Sequence, residues 1–196
     1  MLRTQDLIEV RGNFRALCRD RGKYVRGSLR EGHNVFTTTG RDWLAHLAAW
    51  SVIGGGGDIP FTQRRVRWMG VGTGTQAEVE GVIGLDTPVV VTDLIYLAAI
   101  QVTDHPTTTS VRFIKQFSTS EISVIASPIV PVSEAGLFVD IFPVSTGGGV
   151  DDDAVGGGDT TLNPATAVNA PVAYKTFEVI NKTMDFDLVI EWTFVF

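Results

Sequence analysis

The stretch Gly70-Val71-Gly72-Thr73-Gly74 is where this sequence comes closest to anion-binding chemistry, because closely spaced glycines let backbone N–H groups converge on a phosphate. A phosphate loop also needs Gly-Lys-Ser/Thr to reach the terminal phosphates, and a dinucleotide fingerprint needs a third glycine three positions on and a helix start. Neither follows here, so the stretch reads as a strand-end turn that uses positive φ. Asp151, Asp152, Asp153 and Asp159 offer carboxylates to a hard cation, but three consecutive Asp cannot all point inward as the alternating ligands of a calcium loop do. They read as a solvated acidic loop. His33, His46 and His105 stand apart from any Gly-x-Ser-x-Gly nucleophile motif. The single Cys, Cys18, excludes an internal disulfide framework and reads as a small apolar residue; with only three His beside it, a structural zinc site is not expected. Acid pairs that cleave glycosidic bonds are defined by distance in space, and the acids here fall mainly on loops or solvent-facing strand positions. The expectation is a non-enzyme with no cofactor and no metal.

The elements that would position any site are mostly strands. In Asp185–Phe196 every even residue is large and apolar: Phe186, Leu188, Ile190, Trp192, Phe194 and Phe196. Strict alternation of this kind places one face of a strand in the core and the other in water, so these six are the expected core. Similar patterns predict strands over 33–38, 65–71, 93–103, 109–118, 134–142 and 171–181, with the last joined to 185–196 as a closing hairpin through Asn181-Lys182-Thr183. The 93–103 segment is apolar on both faces and reads as a central strand. One helix is expected over 41–53, with Thr39 as N-cap and Asp42 as its capping-box partner. The fold class is mainly β: an antiparallel, jelly-roll-like sandwich with one packed helix, an acidic Gly/Asp-rich loop at 145–160, and a domain that begins at residue 32.

Residues 1–31 show no sustained period, although Leu7, Val10, Phe14, Leu17 and Cys18 could mark one side of a short helix. Residues 1–41 hold eight Arg and one Lys against four acids, a net of +5, and residues 42–196 hold seven basic groups against eighteen acids, a net of -11. Opposed charge in two parts of one chain predicts a basic N-terminal arm, residues 1–31, that lies on an acidic surface of a neighbouring copy. Arg15, Arg19, Arg21, Arg26 and Arg30 are its expected contact residues, because a guanidinium grips carboxylates in two-pronged fashion. Only Tyr24 stands among them and no recognition motif accompanies them, so nucleic acid is not the expected partner. No apolar run is long enough to span a membrane, and seven charged residues occupy positions 1–20 in place of the apolar centre of a signal peptide.

Three stretches together resemble a family of tailed-phage virion structural proteins. They are REGHNVFTTTGRDWLAHLAAW (Arg30–Trp50), RWMGVGTGT (Arg67–Thr75), and SEAGLFVD (Ser133–Asp140) paired with the terminal NKTMDFDLVIEWTFVF (Asn181–Phe196). In that family a His-Asn strand leads to a helix, then a GTGT turn, an EAGLF strand and a final W-T-x-x-F strand. The resemblance implies a non-enzymatic component of the tail, baseplate or head-tail collar region, located in the virion and assembled as a homo-oligomer with other virion proteins. The alternatives are a capsid decoration protein or a carbohydrate-binding receptor module, whose platform would be an aromatic near a loop end such as Trp68 or Tyr96.

Overall fold

The computed structural model describes residues 10–49, 66–91, 94–122, 128–139, 160–162 and 170–196. The described chain is mainly β, with one helix and two antiparallel sheets packed over a main apolar core, beside which Trp68, Leu97 and Phe138 form a second, smaller cluster. The first sheet runs in the order β2 (Lys23–Tyr24), β1 (Arg11–Asp20), β13 (Asp187–Val195), β9 (Ser110–Phe117) and β8 (Val102–Asp104), with β3 (Arg30–His33) also on β1. The second runs β11 (Thr160–Leu162), β7 (Leu94–Ala99), β5 (Val66–Gly72), β10 (Ile129–Val139), β12 (Ala173–Thr183) and β4 (Val35–Phe36), with β6 (Val90–Val91) also on β7. The expected acidic loop lies outside the described residues except for Thr160.

The alternation in β13 works as expected at its centre. Leu188, Ile190, Trp192 and Phe194 are fully buried. Phe14 meets the Trp192 ring edge-on at 4.9 Å and stacks on Phe177 of the opposite sheet at 5.0 Å, so these three rings join the two layers. The two ends depart from the expectation. Phe186 is only partly buried, and Phe196 is 44 % exposed, because the ladder of paired residues stops at Val195 and only the Phe196 N–H reaches back, to the Thr109 carbonyl at 2.9 Å. A period-2 pattern says which way a side chain points, and burial also requires something opposite it.

From residue 11 on, the expected arm belongs to the first sheet, and residues 1–9 lie outside the described residues. Residues 11–20 form β1, paired with β13 through nine successive residues from Arg11↔Val195 to Arg19↔Asp187, and Phe14, Ala16, Leu17 and Cys18 are buried, in a strand and not in a helix. Arg15 lies opposite Glu191 and Arg19 opposite Asp187, so the acidic surface that these cations face belongs to the next strand of the same chain. Residue 32 is accordingly not a domain boundary among the described residues, since β1 to β3 belong to the first sheet.

Three further boundaries move. The closing strands do not form a hairpin: β12 pairs with β10 and β4, whereas β13 pairs with β1 and β9, so the turn at Met184–Asp185 carries the chain from one sheet to the other. The 93–103 segment likewise splits, β7 lying inside the second sheet and β8 in the first. Helix α1 spans Thr38–Ala49. Its cap is Thr37, whose hydroxyl accepts the Gly40 N–H at 3.1 Å and donates to the Pro171 carbonyl. Thr37 is therefore N-cap and Gly40 its N3 residue, and Asp42 stands two residues too late for the expected box. Gly40 is required by close approach, since a β-carbon there would stand 2.1 Å from the Val172 carbonyl oxygen. Trp43 packs the helix onto the core.

Candidate functional site

The glycine stretch does hold an anion, and the anion is the chain's own. Glu134 sits in β10 directly opposite Gly72 of β5 and has no solvent exposure. Its Oε1 accepts the Gly74 N–H at 3.1 Å and the Thr87 N–H at 2.8 Å; its Oε2 accepts the Asp86 N–H at 2.9 Å and the Tyr174 hydroxyl at 2.8 Å. Both oxygens are therefore acceptors of donors that are themselves neutral. Positive φ has no part in this, contrary to the sequence expectation: the positive-φ glycines among the described residues are Gly22 and Gly27. The glycines leave room instead. A β-carbon on Gly72 would lie 2.2 Å from Oε1, and one on Gly74 would lie 2.6 Å from it.

Each partner is positioned by a different element. The register shift between Val132 and Glu134 lies in β12, which sets residues 177–179 against Ser133 alone; there Ser133 donates its hydroxyl to the Gly74 carbonyl at 2.9 Å while the Glu134 carboxylate meets the loop. The backbone after β5 supplies Gly74, the return of that loop supplies Asp86 and Thr87, and β12 supplies Tyr174. Burial, and then the bond to the Glu134 carboxylate, push the Tyr174 phenol above its ordinary pKa, so it remains a donor through the neutral range. An enclosed carboxylate held by fixed dipoles ties three segments together and meets no solvent.

A second buried polar centre lies by the turn after β9. Lys115 reaches Glu121 at 2.7 Å, the Tyr96 hydroxyl donates to the same carboxylate at 2.7 Å, and the Ser118 N–H does so at 2.9 Å. Next to Glu121, fully buried Ile122 has a φ of 61°, a rare conformation for a β-branched residue. Lys182, also without solvent exposure, donates to the Thr119 and Thr183 carbonyls at 3.2 and 2.7 Å, and burial lowers its pKa against the opposing pull of Asp187. Burial likewise raises the Cys18 thiol, which supports its reading as an apolar core residue.

The five predicted arginines all serve the first sheet and its border. Arg15 pairs with Glu31 at 3.3 Å, Arg21 stands 4.0 Å from Asp20, and Arg19 faces Asp187. Arg30 closes the seam between the sheets: it pairs with Glu178 at 3.2 Å and donates to the carbonyls of Glu178 and Val179 on the edge of β12. With Arg26 it rims a cavity of about 210 Å³ whose apolar walls include Val25, Ile180 and Phe186.

Trp68 and Tyr96, the suggested carbohydrate platform, are 8 % and 5 % exposed and belong to the core. The Asp151–Asp159 carboxylates lie outside the described residues. Sequence reasoning missed Glu134, Tyr174 and Lys182, although a Glu within the otherwise apolar Ala-Gly-Leu-Phe strand and a Lys within β12 were visible signs of buried charge. In comparisons with protein-family models, with curated proteins and with solved structures, the chain finds no match.

Proposed function

We propose that the protein is a non-enzymatic structural component of a tailed-phage virion, of the tail, baseplate or head-tail collar region, working through symmetric contacts with its own copies and with other virion proteins. The observation that carries the reading is where the residues of the resembling stretches are used. Thr37 of the first stretch ties the helix start to Pro171, Gly72 and Gly74 of the second enclose the Glu134 carboxylate of the third, and Phe194 of the terminal segment meets Phe36 of the opposite sheet edge-on. These separate signatures converge on internal fastenings, so they encode a shape, as expected of a part that acts by being rigid and repeated. The buried charges support it as well, since Glu134 and Lys182 have no contact with solvent. The test is direct: cryo-EM and mass spectrometry of purified particles should locate the chain in the tail, baseplate or collar in a symmetric set of copies. Recovery solely as a soluble monomer, outside particles, would overturn the reading.

A further inference from the structure

The charge asymmetry of the sequence acquires a geometry in the fold. Between Trp68 and Val111 there are five acids and no Lys or Arg, whereas residues 11–41 hold eight basic groups against two acids. The acidic segment carries a projecting apolar tip. In the turn Val79–Val82 the Val82 side chain is buried while the next residue, Ile83, is 84 % exposed, with Val79 also exposed. The turn is fastened on both sides. The Glu78 carboxylate accepts from Lys175 and from the Thr176 N–H and hydroxyl, and the Glu80 carbonyl accepts the Thr38 N–H at 2.8 Å while its carboxylate pairs with Arg41. Ile83 is thus an apolar group presented by a fixed loop.

The basic segment carries the complementary hollow. The cavity of about 210 Å³ has Val25, Ile180 and Phe186 in its walls and Arg26, Arg30 and Asn181 at its margin. It accommodates a branched aliphatic side chain and part of its backbone. Arg30 is engaged with Glu178, and Arg26 has no ion pair among the described residues, which leaves its guanidinium for an incoming carboxylate.

Resting on the virion reading above, we propose that the partner of this cavity is a second copy of the chain, whose Ile83 enters it with the exposed Asp86 carboxylate of the same loop facing Arg26. Tip and hollow flank the same strand: Glu78 caps β12 at Thr176, and Arg30 caps it at Glu178 and Val179. β12 bulges between these two fastenings, with residues 177–179 facing Ser133 alone, which draws them together. A two-fold axis between them brings each copy's Ile83 to the other's cavity, so the contact is reciprocal and closed. The oppositely charged rims fix its orientation and make it weaken as salt rises.

The test uses the full chain. Sedimentation velocity across a concentration series should show a dimer whose dissociation constant rises with sodium chloride. Ile83→Asp should weaken association at least tenfold, and Arg26→Glu severalfold, with the far-UV circular dichroism unchanged, since both side chains are exposed. Mixing an Ile83→Cys chain with an Asn181→Cys chain under mild oxidation should give a mixed disulfide dimer. A chain that stays monomeric at high concentration, an Ile83→Asp variant that associates like the wild type, or the absence of the mixed disulfide would each overturn the proposal. Particle incorporation is read separately: a chain found in virions with Ile83 free of contact defeats this interface and leaves the virion reading standing, whereas a dimer never found in particles does the reverse.

Discussion

Among the described residues, Glu134 is fully buried and Glu121 is largely so, and the two carboxylates are stabilised by different means. Glu134 is satisfied by three backbone N–H groups and a phenol, and Glu121 by an ammonium, a phenol and one N–H. The first depends on backbone that is held in place only while strands β5, β10 and β12 and the intervening loop are folded. The second depends on another side chain that also had to be desolvated. Fixed dipoles should therefore be the harder to replace, since removing the acid strands donors that cannot turn elsewhere, whereas an ion pair can be exchanged as a unit for apolar groups.

The sharpest test is Glu134→Leu. It leaves the buried Gly74 amide and Tyr174 hydroxyl without an acceptor, at about 1–3 kcal/mol each, and frees the part-buried Asp86 and Thr87 amides, so a loss of about 4 kcal/mol is expected. Urea unfolding followed by tryptophan fluorescence measures it. A loss below 1 kcal/mol would mean that water replaces the carboxylate, and the contrast would collapse. Next, Lys115→Met should cost about 3 kcal/mol by leaving Glu121 without its cation, and the Lys115→Met/Glu121→Leu double variant should recover at least half of that. A double variant as unstable as the sum of the two single losses would show that the pair is as irreplaceable as the cradle.

The smaller effects separate the centres by pH. Tyr174 has its folded pKa raised, so its contribution is complete below the ordinary tyrosine value of about 10 and is lost as pH climbs above it. Tyr174→Phe should cost about 1 kcal/mol at pH 7 and flatten the decline in melting temperature above pH 10. Lys182 has its folded pKa lowered, so its unfolded form binds the proton more readily and stability rises as pH approaches about 10.4. Lys182→Met should change stability at pH 7 by about 1 kcal/mol or less and abolish that rise. If the alkaline profiles of both variants match the wild type, neither group is linked to folding.

Much of the architecture was legible in the residues. The even positions of β13 and the apolar faces of β5 and β9 carry the period of half-buried strands, and the fold class follows from them. The glycine stretch was legible as a tight strand-end turn but not as the seat of Glu134, because the two are some sixty residues apart and meet only across the β5–β10 ladder. The arm was misread for a related reason. In residues 11–18 the inward positions are Gly12, Phe14, Ala16 and Cys18, three of them small, so the alternation is faint until Trp192 and Phe177 enclose it.

Residue order thus determined on its own the quantities that depend on neighbours one to four positions away: strand period, the existence of one helix after the His33–Thr38 segment though not its first residue, and the break between the strands predicted at 93–103 and 109–118. The tertiary structure alone decided which sheet each strand joins, that β12 and β13 part company, that the Phe at position 196 finds no cover, and that a carboxylate fills the glycine cradle. Periodicity is a local property of the backbone, whereas burial and charge compensation depend on what another segment brings within about 4 Å, and that is set only when the sheets close.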